Sequence, residues 1–466
     1  MMHDNPRARV LRSKKNFEEH DKTVKSALEI FEPESILEAS RSDGDLAGMT
    51  LLIKDNIVQR GRTASCSSKI LEHYKAVYDA TAITRLKNQG ALLMGRANCD
   101  EFAMGSSTET SAFQLTANPW DTSCVPGGSS GGSIAAVAAG FVDCALGSET
   151  GGSVRQPAAF CGIVGLKPTY GRVSRYGLIA YGSSLDQIGI ASKTVRDNAR
   201  VLKVIAGLDP LDATTSTNPV PDYEQKLDGA IPQGLRIGVI DNAMNAEGND
   251  PEMVVALNQA LKRYEELGAK IVHLSLPTMD LGAAVYFIVS RAEATSNLAR
   301  FDGIRYGSRP ADAEDLTDVY RKTRTEGFGP EVKRRIMIGN YVLSSGYADQ
   351  YYKKAKAVQH GMRLEFLKAF EQVDVLFAPV APTGAFKFHS FDENRLLMDL
   401  QDYFTAPANL AGIPALAIPC GFVKNMPVGF QLMGADFTED ILYQVAYAYE
   451  SSTTWHTMWP KGFGPK

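Results

Sequence analysis

Two serines set in glycine-rich turns hold most of the chemistry visible in this chain. Ser129 lies in Val125-Pro-Gly-Gly-Ser-Ser-Gly-Gly132, and Ser153 follows Gly151-Gly152, 24 positions further on. Glycine lets the backbone enter conformations closed to other residues and lets N–H groups approach a ligand unobstructed. A serine displayed among bare N–H groups offers what acyl transfer requires, a nucleophile and a place for a developing oxyanion. The N–H groups of Thr150, Gly151, Gly152 and Ser153 are the candidate oxyanion hole. With Ser153 as nucleophile, its proton needs an acceptor near neutral pH. No histidine lies in these segments. Lys54 is the candidate base, because it follows the apolar run Met49-Thr-Leu-Leu-Ile53 and desolvation lowers an ammonium pKa. Ser129 then relays the proton from Ser153 to Lys54. The competing reading of Lys54 is an exposed strand-end residue paired with Asp55.

Two other readings of the glycine–serine run are weaker. Such runs serve as flexible linkers, but here Asn118-Pro119-Trp120 precedes the run and the apolar Ile134–Ala139 follows at helical spacing. Gly128-Ser-Ser-Gly-Gly132 also fits a G-x-S-x-G nucleophile elbow. That motif needs a strand directly before it and a downstream histidine, whereas Asn118–Pro126 reads as loop. His273, His360, His389 and His456 stand apart from any acidic partner pattern.

The elements that must position these residues read as an α/β layered fold. Strand-length apolar runs at Ala91–Gly95, Leu235–Ile240, Lys270–Leu274, Val373–Ala378, Ala415–Ile418 and Val428–Met433 alternate with helical patterns at 81–88, 251–267, 347–370 and 439–449. Such alternation implies a mostly parallel or mixed sheet. Residues 208–223 read as a surface loop and 303–330 as a mobile lid. One large domain over 21–466 is expected, with a core at about 46–450 and a helical substrate-side insert at about 280–372. The first twenty residues, with Arg7, Arg9, Arg12, Lys14 and Lys15, read as a flexible basic tail. They have no apolar stretch of a secretory signal.

A net charge of −4 and a pI near 6.0 argue against a protein that wraps nucleic acid by itself. No apolar run approaches the roughly 18–20 residues of a membrane span. The six cysteines show no C-x-x-C spacing and sit in small or apolar surroundings, as expected of reduced, packed thiols, and no metal site is expected.

Lys54, Pro126-Gly-Gly-Ser-Ser-Gly-Gly-Ser133 and Gly147-Ser-Glu-Thr-Gly-Gly-Ser-Val-Arg-Gln-Pro-Ala158 resemble the amidase signature family over about Leu46–Tyr449. The resemblance implies a Ser–cis-Ser–Lys triad of Ser153, Ser129 and Lys54, a cis bond at Gly128–Ser129, and a mixed sheet of about eleven strands flanked by helices on both faces. Asn98–Glu109, Phe160–Gly177, Ser184–Gly189, Glu293–Gly307 and Gly327–Gly339 are similar, in particular, to the glutaminase subunits of tRNA-dependent amidotransferases within that family. That likeness implies hydrolysis of glutamine and delivery of ammonia to a partner, a kinase and transamidase that binds tRNA, with a small third component in the assembly. It implies no cofactor on this chain, ATP and Mg²⁺ being used through the partner, and a bacterial cytoplasm or an organelle matrix as the compartment.

Free glutamine carries an α-carboxylate and an α-ammonium, so a selective pocket needs one cation and one anion at fixed separation. By similarity, Arg335 forks the carboxylate, Asp402 takes the ammonium, Tyr286 lies beside them, and Ser130 is a further substrate-binding residue. Glu149 stands where the family more usually has Asp, and helices that often precede the core are expected to be missing. The alternatives are a free-standing hydrolase of fatty or aryl amides, with an apolar pocket, and a catalytically idle scaffold for an assembly.

Overall fold

A single sheet of eleven strands runs through the computed structural model, which describes residues 5–464. The strands are β1 (Ala27–Ile30), β2 (Thr50–Lys54), β3 (Leu92–Ala97), β4 (Cys144–Glu149), β5 (Val164–Lys167), β6 (Gln187–Ser192), β7 (Arg236–Ile240), β8 (Lys270–Leu274), β9 (Val375–Pro379), β10 (Ala415–Val423) and β11 (Met426–Met433). Their spatial order is β1-β3-β2-β4-β6-β5-β10-β11-β9-β7-β8. Pairing is parallel for β2 with β3 and β4, and for β7 with β8 and β9; the remaining pairs are antiparallel.

The sequence runs apolar without alternation in these strands because both faces of the sheet are covered. Side chains alternate faces along a strand, so Leu51 and Ile53 enter one apolar cluster while Leu52, between them, enters another. Ile190 against Ala191, and Leu416 and Ile418 against Ala417, repeat the division. Strands buried on both faces lose the polar half of the period-two pattern. Edge strand β8 is less covered, with Lys270 and His273 exposed and the residues between them only partly buried.

The amino-terminal expectation is corrected. Residues 1–4 of the expected tail lie outside the described residues, but Pro6–Val24 is a helix of 19 residues. Asn5 caps it by accepting the Arg7 N–H at 3.0 Å, with Pro6 in the first turn. Val10, Phe17 and Val24, seven residues apart, are buried, and Phe17 packs on Phe141 with ring centroids 5.0 Å apart. The basic residues that suggested a tail occupy the outer faces, where Arg9 pairs with Asp143 at 2.6 Å and Lys14 with Glu32 at 2.8 Å. A second helix, Pro33–Ala39, also precedes β2, so helices ahead of the core are present.

The insert is built of the helices Gly282–Asn297, Leu316–Gly327, Pro330–Leu343 and Tyr352–Phe370. The first and third cross closely at Gly339, where a Cβ would lie 2.1 Å from the Arg291 carbonyl oxygen. The segment expected to be a lid is tied down. Arg324 donates to the carbonyls of Leu298 and Phe301, and the Gly327 carbonyl accepts from Ser68.

Phe17→Ala is expected to destabilise the protein by about 3 kcal/mol, the usual cost of truncating a buried aromatic side chain. Urea unfolding measures it; an unchanged midpoint would mean that the helix does not belong to the cooperative core.

Candidate active site

Lys54 ends β2, and strand alternation decides its surroundings. The side chain is fully buried and donates from Nζ to Ser129 Oγ at 2.7 Å, Ser130 Oγ at 3.0 Å and the Ser148 carbonyl at 3.1 Å. Asp55, one residue on, turns the other way and pairs with Arg96 at 2.5 Å, while also accepting from Ser65 and the Ser67 N–H. The surface pair Lys54–Asp55 therefore does not form. Burial lowers the Lys54 pKa to about 8. At that value about a tenth of the side chains are neutral one pH unit lower. Its immediate partners are hydroxyls and a carbonyl; among the described residues no carboxylate pairs with it.

The Ser129 turn is held from three directions. Gly127 has φ +83, open to glycine at little cost; its carbonyl accepts from Thr108 Oγ1 at 2.8 Å. The same hydroxyl accepts the Gly131 N–H, and Gln156 Oε1 accepts the Gly128 N–H at 3.0 Å. The Gly128–Ser129 bond is cis, as the resemblance implied. A Cβ at Gly128 would fall 2.2 Å from Asp100, whose carboxylate accepts the N–H groups of Thr108 and Thr110.

Ser130, expected as a substrate contact, has its hydroxyl engaged within the protein. Its hydroxyl accepts from Lys54, donates to the Ser148 carbonyl at 3.1 Å and accepts the Ser148 N–H at 3.3 Å. All of its hydrogen bonds are engaged behind the lysine, so it holds the base in place.

Ser153 sits between β4 and the helix Arg155–Cys161, and its carbonyl accepts the Ser130 N–H at 3.1 Å, bringing the two serine turns together. Among the described residues, the N–H groups of Thr150, Gly151, Gly152 and Ser153 donate no hydrogen bond within the protein. They remain available to an oxyanion. Glu149 holds this turn from below. One carboxylate oxygen accepts the N–H groups of Val154 and Arg155, each at 3.0 Å, and the other takes the Arg155 guanidinium at 2.5 and 2.8 Å. Arg155, also fully buried, donates onward to Gln431, Asn409 and the Thr405 carbonyl. Burial, the largest single influence, pushes the Glu149 carboxyl up, but the Arg155 charge, the hydrogen bonds from Arg155 and the Lys167 charge together outweigh it, and the net shift is downward.

Glycines 151 and 152 let the residues expected to line the substrate pocket close in. A Cβ on Gly151 would meet the Tyr286 ring at 2.5 Å, and one on Gly152 would lie 2.7 Å from Asp402 Oδ1. Asp402 accepts from Ser106 at 3.1 Å through Oδ2, whereas buried Oδ1 has no protein partner. Burial pushes this carboxyl up to about 7, against the Ser106 hydrogen bond and the Arg335 charge. Arg335 is buried and partly committed. Its Nε donates to Glu331 at 2.7 Å and its Nη1 to the Tyr181 hydroxyl at 2.8 Å. The end bearing Nη1 and Nη2, rather than the Nε side, is what it can offer a carboxylate.

The structure thus gathers Lys54, Ser129, Ser153, the Thr150–Ser153 amides, Tyr286, Arg335 and Asp402 into one site. Sequence reasoning missed Ser106, which hydrogen-bonds Asp402, Tyr181 and Glu331, which hold Arg335, and Asp186, which accepts from Thr150 at 2.6 Å. Asp186, Ser106 and Glu331 lie in the family-like segments Ser184–Gly189, Asn98–Glu109 and Gly327–Gly339, where the resemblance could have pointed to them, whereas Tyr181 lies outside those segments and a single tyrosine leaves no spacing signal. No group of three or more His, Cys, Asp or Glu able to hold a metal ion, and no helix long and apolar enough to cross a membrane, occurs among the described residues.

The sequence model of the family described as Amidase matches residues 8–442. A Roseiflexus castenholzii protein, named as the A subunit of glutamyl-tRNA(Gln) amidotransferase, is 54% identical over 427 residues, covering 91% of this chain and 86% of the relative. A protein of the same name from Geobacillus kaustophilus is 50% identical over 457 residues, covering 96% and 94%. Among solved structures, the A subunit of glutamyl-tRNA(Gln) amidotransferase from Thermotoga maritima superposes with a TM-score of 0.85 at 40% identity, covering 99% of this chain and 95% of that one. A peptide amidase from Stenotrophomonas maltophilia superposes with a TM-score of 0.80 at 29% identity, covering 97% and 94%.

Two outcomes are expected. Only neutral Lys54 can accept a proton, so kcat/KM for amide hydrolysis should rise with pH to a plateau, with a midpoint near 8. Initial rates across roughly pH 6 to 10 check this, and a flat profile would exclude Lys54 as the base. Glu149→Ala strands the buried Arg155 charge and should cost about 3–5 kcal/mol in urea unfolding; a loss below about 1 kcal/mol would show that Arg155 finds other partners.

Proposed function

The chain belongs to the amidase family, and on that premise we propose that it is the glutamine-hydrolysing component of a tRNA-dependent amidotransferase. It releases ammonia from glutamine, and a partner protein uses that ammonia to convert Glu-tRNA(Gln), or Asp-tRNA(Asn), to the amidated form. The observation that carries the substrate assignment is the pair of opposite buried charges beside the Gly151–Ser153 turn. Asp402 Oδ1 lacks a protein donor, and Arg335 acts on both Asp402 and Tyr286 through its charge. An ammonium and a carboxylate on one small molecule satisfy both groups. A fatty or aryl amide would leave Asp402 Oδ1 without a donor and bring nothing to the Nη2 end of Arg335, whose Nε is already paired with Glu331. The names of the relatives support the same reading.

In the mechanism, Ser153 Oγ attacks the side-chain carboxamide carbon of glutamine. Its proton passes to Ser129, whose own proton passes to neutral Lys54. The Thr150–Ser153 amides receive the oxyanion. The tetrahedral intermediate collapses with protonation of the leaving nitrogen through the same relay. Ammonia departs and a γ-glutamyl ester remains on Ser153. Water, deprotonated along the same path, then releases glutamate. Ammonia passes to the partner, a kinase and transamidase that activates the misacylated tRNA with ATP and Mg²⁺ and makes most of the tRNA contacts; a small third component completes the assembly. The bacterial sources of the relatives support a bacterial cytoplasm as the setting.

Ser153→Ala should abolish ammonia release from glutamine, a loss of at least about 10⁴-fold, while association with the partner persists. Ammonia release is measured for the chain alone and with partner, ATP and misacylated tRNA. Weak basal release that rises in the complete system supports the coupled glutaminase. Fast hydrolysis of unrelated amides, with no response to glutamine, would instead make this a free-standing amidase.

A further inference from the structure

Reading a free α-amino acid requires more than one cation and one anion; their separation must also be fixed. Arg335 and Asp402 stand on separate elements, the helix Pro330–Leu343 and the short turn Leu400–Asp402. Three residues before Asp402, at the end of the helix Arg395–Asp399, Asp399 faces three guanidiniums. Its Oδ1 lies 2.6 Å from Arg291 Nη2 and 3.7 Å from Arg335 Nη2, and its Oδ2 lies 3.4 Å from Arg334 Nη2. Among the described residues, the ion pairs that join the Asp402 turn to the Arg335 helix and to the helix Gly282–Asn297 run through this one carboxylate.

The surroundings of Asp399 make the link stiff. Arg291 is 1% exposed and lies over the Phe287 ring, 3.7 Å from its centroid. Its Nε has no protein acceptor, so Asp399 is its anionic partner. Glu331 is taken by Arg334 and Arg335. Three guanidiniums therefore share two carboxylates, Glu331 and Asp399. Of the three nitrogens of Arg335, Nη2 has the weakest protein partner, the 3.7 Å contact with Asp399.

We propose that Asp399 is a positioning residue that sets the distance between the two substrate-reading charges, Arg335 and Asp402, and so makes the site selective for an amide bearing both an α-ammonium and an α-carboxylate. This rests on the glutaminase reading and adds to it the residue that couples the two ends of the pocket. Asp399 touches neither the reacting atoms nor the substrate.

The coupling has a readout that a merely structural role would not produce. Three ligands are compared on the full chain, alone and with its partner protein: glutamine, 4-carbamoylbutanoate (no ammonium) and 4-aminobutanamide (no carboxylate). The two half-ligands are measured as competitive inhibitors, so they need not turn over. In Asp399→Asn, KM for glutamine should rise about tenfold or more with kcat changed less than about threefold, while the inhibition constants of the half-ligands rise less than about threefold. Asp399→Glu restores the charge one methylene out of place and should give an intermediate KM; it carries the test should the Asn variant fail to fold. Equal weakening of all three ligands, a loss confined to kcat, or a wild-type KM in both variants would overturn the proposal. A wild-type chain that binds glutamine no better than the half-ligands would refute the glutaminase reading itself, and this assignment with it, before any variant is made.

Discussion

An ammonium taken out of water at the end of an apolar strand dictates much of what surrounds it. Charged Lys54 with no carboxylate beside it would be costly to bury, so the neutral form gains ground and the pKa falls to about 8. That outcome needs the neighbouring acid kept away. Strand alternation turns Asp55 to the opposite side, and Arg96 with the Ser65 and Ser67 groups holds it there. The space around the nitrogen is filled by small oxygen dipoles, two hydroxyls and one carbonyl. Only glycine-rich turns bring that many main-chain and serine oxygens to one point without bulk.

The same demand for small residues leaves the Ser153 turn with little side-chain packing of its own, and a buried ion pair supplies the missing rigidity. The Glu149 carboxylate takes two consecutive N–H groups directly after the turn and one guanidinium, which in turn reaches Gln431, Asn409 and the Thr405 carbonyl. A buried pair is weak evidence of net stability, since desolvation offsets attraction. Its value here is geometric. It takes up the N–H groups of Val154 and Arg155, while those of residues 150–153 donate no hydrogen bond within the protein among the described residues. The longer Glu in place of the family's usual Asp is accommodated because both of its oxygens find donors.

The residues proposed to read the substrate come from elements with no sequence proximity. Tyr286, Arg335 and Asp402 come from two helices and a turn, and the glycines at 151 and 152 are what allow Tyr286 and Asp402 to lie against the catalytic turn. The proposed chemistry and selectivity therefore share one wall.

Residue types and local spacing are enough to mark Ser129, Ser153 and Lys54, because a nucleophile among glycines and a lysine after an apolar run are short-range patterns. They are also enough for the α/β class, since unbroken apolar runs of strand length alternating with helical periods have few other solutions. The resemblance to a family adds the recognition residues, which no local pattern marks. The amino-terminal helix is hidden because six lysines and arginines dominate its composition while its buried stripe, Val10, Phe17 and Val24, recurs only every second turn. Which of two adjacent serines serves the lysine from which side, which nitrogen of Arg335 is left for a ligand, and the gathering of three guanidiniums on Asp399 are decided by the tertiary structure alone. The chain's residues determine which groups exist and which backbone turns they permit. Hydrogen bonds and ion pairs act over a few ångströms, and the partners that settle those choices lie up to about three hundred residues away, as between Ser106 and Asp402.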